Sequence, residues 1–105
     1  MTDRELLELA AKAAGYTLDG HTQKPIAFTY GGVEWNPLTD DGDALRLAVK
    51  VGIIVAPPAY NGGWQATASA KADETPWMHE TSGSHEESTR RAIVRAAAEI
   101  GKAMQ

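Results

Sequence analysis

The chain has 105 residues, carries 10 Lys and Arg against 14 Asp and Glu for a net charge of -4, and contains no cysteine. That length predicts one domain with a modest core, and the acidic balance argues against a general nucleic-acid binder. Disulfides and thiolate metal sites are excluded, no apolar run reaches the ~20 residues that span a membrane, and MTDRELLELAAKAAG is too acidic for a secretory signal, so a soluble intracellular protein is expected.

In chain order the first predicted element is a helix. Thr2 and Glu5 have capping-box spacing, Leu6, Leu7, Leu9, Ala10, Ala13 and Ala14 form an apolar face, and Gly15 stops it. Residues 16–24 are polar and read as irregular. IAFTY-GG-VEW then reads as a hairpin, with Ile26, Phe28 and Tyr30 alternating before Gly31-Gly32. Pro37 turns Asn36 away from helix. Thr39 or Asp40 caps a second helix running to about Val51, with Leu45, Leu47, Ala48 and Val51 as its apolar side and Gly52 as its stop.

Ile53 to Ala56 reads as a short buried strand, closed by Pro57-Pro58, and Asn61-Gly62-Gly63 as a turn or loop tip. WQATASA (Trp64 to Ala70) alternates like a strand, residues 71–76 are a loop, and Trp77 to Thr81 is a last strand. Ser84 and Glu87 cap the final helix, whose apolar stripe is Ile93, Ala96, Ala97, Ile100 and Met104. The order of elements predicts a single α+β domain, with an antiparallel sheet layered between helices.

Asp40, Asp41 and Asp43 fall where the second helix begins. Acidic groups there suit the positive end of the macrodipole and cap free N–H groups, whereas a calcium loop would need a closing glutamate that DDGDALRLAVK lacks. His79 and His85 flank a Ser-Gly turn without HExxH spacing, so no metal site is expected. No nucleophile elbow and no phosphate-binding glycine loop occurs, so no catalytic residue is expected.

Arg91 and Arg95 stand one turn apart on one face of the last helix, beside Arg90. Paired guanidinium groups suit phosphate. The same residues fit a solvated surface equally, because Glu87 lies four before Arg91 and Glu99 four after Arg95. Trp35 reads as a core residue. Trp64 and Trp77 sit at loop–strand junctions, where an aromatic either stacks on a nucleobase or buries against a partner subunit.

WNPLTDDGDALRLAVKVG, together with the N-terminal MTDRELLELAAKAAG and the C-terminal TRRAIVRAAAEIG, resembles the phage ABA sandwich family. The resemblance implies a small bacteriophage or prophage protein with a sheet between helices, acting in the host bacterial cytoplasm. A more distant resemblance is to the Thoeris anti-defence sponges. It implies a homo-oligomer that sequesters a cyclic ADP-ribose isomer or cyclic oligonucleotide without cleaving it and without a cofactor. Phosphate contacts would then fall on Arg91 and Arg95, with Trp64 or Trp77 stacking and Asn36 hydrogen-bonding a ribose or base. The alternative is a phage accessory protein that binds a host protein and no small ligand. Its expected signs are an exposed apolar patch around the tryptophans and arginines that are all paired with glutamates. A hydrolase with His79 or His85 as base is the third possibility.

Overall fold

A computed structural model of the protein describes residues 2–18, 20–22, 27–30, 33–56, 66–69, 78–80 and 84–104. The helices are α1 (Asp3–Ala14), α2 (Asp41–Val51) and α3 (His85–Ala103). The strands are β1 (Gly20–Thr22), β2 (Ala27–Tyr30), β3 (Val33–Trp35), β4 (Ile54–Ala56), β5 (Ala66–Ser69) and β6 (Met78–Glu80). The class is mixed α+β. The strands form two antiparallel three-stranded sheets, ordered β1-β2-β3 and β4-β5-β6.

Each helix begins at the residue whose side chain can cap it. Thr2 accepts from the Glu5 N–H while Glu5 reaches back to the Thr2 backbone, a complete capping box. Asp40, rather than Thr39, caps α2, and Ser84 caps α3 by accepting from the Glu87 N–H. Gly15 and Gly52 end α1 and α2 with φ of 74° and 84°, a left-handed conformation that an L side chain resists.

The hairpin is present, with Tyr30 opposite Val33 and Phe28 opposite Trp35. The stretch expected to be irregular contributes a third strand instead, since Gly20–Thr22 pairs antiparallel with β2. Its residues carry no alternating apolar pattern. The free edge of β2 selects them by backbone hydrogen bonding, which composition does not reveal. Trp35 is buried in the main core as expected. Tyr16 stacks on Tyr30 with ring centroids 4.4 Å apart and meets Trp35 edge-on at 5.9 Å, tying this sheet to the end of α1.

α3 is the centre of the fold. It packs against α1 most extensively, and also against α2 and all three strands of the β4-β5-β6 sheet. Its buried residues are Ser88, Ala92, Ile93, Val94, Ala96, Ala97, Ala98 and Gly101. This is a wider arc than the expected stripe, and it leaves Met104 exposed. Ala92 and Ala96 pack against Ile53 at the entry to β4, while Ile93, Val94, Ala97 and Ala98 join the main core with Leu6, Leu7, Ala10 and Leu47.

Three contacts advance together along α1 and α3: Asp3 with Arg91, Leu9 with Gly101, and Lys12 with the Met104 carbonyl. The two helices therefore run side by side in the same direction. At the closest approach a Cβ on Gly101 would lie 2.0 Å from the Leu9 carbonyl oxygen. Backbone cannot yield there as a flexible side chain would, so Gly101→Ala should destabilise the protein by about 1–3 kcal/mol or more, measured by urea denaturation.

The capping hydrogen bonds from the Thr2 backbone and hydroxyl hold the Glu5 carboxyl below its ordinary value of 4.5. A lowered carboxyl pKa contributes stability above the ordinary value, and that contribution is lost as pH falls through the folded-state pKa. Glu5→Ala should therefore lower the melting temperature at neutral pH, and the difference from wild type should shrink as pH drops below 4.5.

Candidate functional site

The stretch NPLTDDGD builds the junction from which the candidate site opens. Asn36 is only 5 % exposed and organises the turn before α2. Its side-chain oxygen accepts from the Leu38 N–H at 3.0 Å, and its carbonyl accepts from the Thr39 and Asp40 N–H groups at 3.1 and 2.9 Å. Pro37 is fully buried beside it. Asp43, in the first turn of α2, accepts from the Asn36 N–H at 2.9 Å and from Arg46 at 2.7 Å. The bond to Asp43 raises the Arg46 guanidinium above its ordinary pKa.

The three aspartates thus have separate tasks. Asp40 caps α2 through the Asp43 N–H at 2.8 Å. Asp43 fixes the turn. Asp41 pairs with Arg90 of α3, whose Nε also donates to the Leu38 carbonyl at 2.9 Å. Arg90 thus bridges α3 to both the turn and the first residue of α2, and its side chain is 15 % exposed.

Beside this bridge lies a cavity of about 390 Å³. Ala44, Leu45 and Ala48 of α2, Val55 of β4 and Ile93 of α3 line it together with Asp41, His85, Glu86, Thr89 and Arg90, and its surface is almost wholly apolar. Sequence periodicity places Leu45 in the core of α2. The structure instead leaves Leu45 64 % exposed at the edge of this cavity, with Val49 one turn further along and 74 % exposed. The reason is that α2 buries an arc through Asp43, Ala44, Leu47 and Ala48, which turns Leu45 and Val49 outward.

A second hollow of about 280 Å³ is lined by Tyr16, Tyr30, Val33, Glu34, Trp35, Asp43 and Arg46. Its one arginine is held by Asp43 and lies 3.8 Å from Asp40.

Of the expected ligand contacts, the described residues Arg91, Arg95 and Asn36 line neither hollow. Arg91 is ion-paired with Asp3 at 3.0 Å, on the α1 side of α3. Arg95 is half-buried and also engaged. Asn36 is committed to its turn. Trp64, Trp77 and the Asn61–Gly63 tip lie outside the described residues, as does the side chain of His79 in β6. His85 is exposed at the start of α3. Among the described residues no group of three or more His, Cys, Asp or Glu could hold a metal ion, and no helix is long and apolar enough to cross a membrane. Arg90 and Leu45 were beyond sequence reasoning, because the pairs that give them roles are far apart in the chain.

Comparison with known proteins adds no identity: the chain matches no family model, no curated protein and no solved structure at a significant level.

Because the buried Asn36 N–H relies on the Asp43 carboxylate, Asp43→Ala should cost about 1–3 kcal/mol. Val33→Ala, at a 69 % exposed position, should be nearly silent in the same denaturation series.

Proposed function

We propose that the chain is a phage-encoded accessory protein that works by binding and not by catalysis, with the α2–α3 cavity and the adjoining face of α2 as a docking surface for a host protein. The phage assignment rests on the resemblance of WNPLTDDGDALRLAVKVG to the phage ABA sandwich family. One observation carries the docking reading: an apolar concavity and two exposed large aliphatics, Leu45 and Val49, share one side of α2.

Two further features support it. The arginines are engaged within the protein: Arg4 with Glu8, Arg46 with Asp43, Arg90 with Asp41 and Arg91 with Asp3, and Arg95 also has a partner. A phosphate would have to compete with these carboxylates. The carbon wall of the cavity also offers little to the polar edges of a nucleobase, whereas apolar side chains of a protein segment lose nothing there.

Sequestration of a cyclic nucleotide signal by a homo-oligomer is the second reading. Arg91 and Arg95, one turn apart on a half-buried face of α3, favour it.

One pair of experiments separates the two. A photo-crosslinking residue at position 45, followed by mass spectrometry of the host-cell adduct, should identify a single host peptide. That adduct should be lost in Val49→Glu. In parallel, cyclic ADP-ribose isomers and cyclic di- and trinucleotides should leave the melting temperature unchanged. A ligand at a hundredfold excess over its Kd would add about 2.7 kcal/mol of apparent stability. A shift of that size, lost in Arg91→Ala and with the ligand recovered intact, would establish the nucleotide reading instead.

A further inference from the structure

The second hollow shares no lining residue with the docking cavity and opens beside Arg46, on another side of α2. Its aromatic side combines the β2–β3 hairpin with Tyr16, two residues past the end of α1. Tyr16 covers one face of the Tyr30 ring, with centroids 4.4 Å apart and planes 26° from parallel, yet Tyr30 is still 44 % exposed. The other face of that ring is therefore open. Val33 pairs with Tyr30 and shares its side of the hairpin, as does Trp35, while Glu34 alternates to the opposite side.

The polar side is Arg46. Asp43 accepts from its Nη2 at 2.7 Å, and Asp43 is itself fixed by the Asn36 N–H at 2.9 Å. A guanidinium has five N–H donors in a planar fork. Among the described residues Asp43 takes one of them and no other hydrogen bond is made, so one edge keeps a parallel pair of donors. The side chain is 68 % exposed, which leaves that edge accessible.

Charge and size select the occupant. Asp43 and Asp40, at 2.7 and 3.8 Å, both face the one guanidinium, so the hollow has no positive surplus for a phosphate or carboxylate. A cation would sit against Arg46 and find both oxygens of Asp43 taken. A neutral ligand remains. An open tyrosine face takes a flat ring by stacking, and paired guanidinium donors take two adjacent acceptor atoms, as on the O6/N7 edge of guanine. The volume of about 280 Å³ falls just below the roughly 300–1,000 Å³ of pockets that enclose a drug-sized ligand, which suits one ring system better than a whole nucleotide. We propose that this hollow binds a neutral planar heteroaromatic ring with two adjacent acceptors, stacked on Tyr30 and hydrogen-bonded by Arg46. Asp43 is the positioning residue that anchors the guanidinium. The site is independent of the docking surface and goes beyond it.

Inosine, which is uncharged and carries the O6/N7 pair, is the probe, titrated into the purified chain and followed by calorimetry. It should bind, and adenosine, with an amino donor in place of O6, should bind roughly tenfold more weakly or less well still. Inosine monophosphate should gain nothing from its added charge. Tyr30→Leu should weaken inosine binding by roughly tenfold. Arg46→Lys keeps a cation beside Asp43 but removes the paired donors, so the preference for inosine over adenosine should disappear. Both positions are exposed, and circular dichroism should show both variants folded. Val49→Glu, on the docking surface, should bind inosine as wild type does, which separates the two sites. No binding of inosine at millimolar concentration would overturn the proposal. So would equal affinity for adenosine, a preference that survives Arg46→Lys, or a tenfold gain from the phosphate.

Discussion

The structure depends on how closely α1 can approach α3. Gly101 lets the backbone of α3 come against the Leu9 carbonyl, and Ala97 and Ala98 keep the contact thin. Parallel neighbouring helices place like ends of their macrodipoles together, which is mildly unfavourable. The ion pair of Arg91 with Asp3 at one end and the donation from Lys12 to the Met104 carbonyl at the other offset it. With α1 held in this way, α3 has its remaining sides free for α2 and for the β4-β5-β6 sheet.

That constraint explains the lightness of the core. Alanine dominates the buried residues of α3, and the larger aliphatics Leu7, Leu47 and Val94 fill the space between the helices. A core built for close approach contains few large side chains, so hydrophobic stabilisation per residue is limited. Against that background Leu45 and Val49 stand out. The protein places two of its larger aliphatics in solvent although its interior is composed mainly of small ones, and both lie beside an apolar cavity.

The arginines show how tertiary pairing redirects a chemical reading. Arg90, Arg91 and Arg95 are adjacent on α3 and look like one basic cluster in the sequence. Successive residues of a helix point about 100° apart, so neighbours in the chain serve different partners. Arg90 reaches Asp41 and the Leu38 carbonyl on the α2 side, and Arg91 reaches Asp3 on the α1 side. Of the two arginines expected to hold phosphate, Arg91 thus ties α3 to α1, while its chain neighbour Arg90 ties α3 to α2.

Much of the fold was legible because its signals are local. Thr2, Asp40 and Ser84 cap the helices that follow them, Gly15 and Gly52 end two of them, and the alternation around Phe28 and Tyr30 marks the hairpin. The role of Asp40, Asp41 and Asp43 as a helix start was legible for the same reason, since capping and macrodipole effects act within one turn. The strand at Gly20–Thr22 was not legible, because only a neighbouring edge in space selects it. Nor was the outward turn of Leu45 and Val49. Periodicity shows that a helix has an apolar side, but the arc that becomes buried is decided by which neighbours press on it. For α2 those neighbours are α1 and α3, the second tied to it by the Arg90–Asp41 pair across a long stretch of chain. The sequence by itself determined the helices, their caps and the hairpin. Only the tertiary structure decided which side chains remain at the surface, because that depends on contacts between residues far apart in the chain.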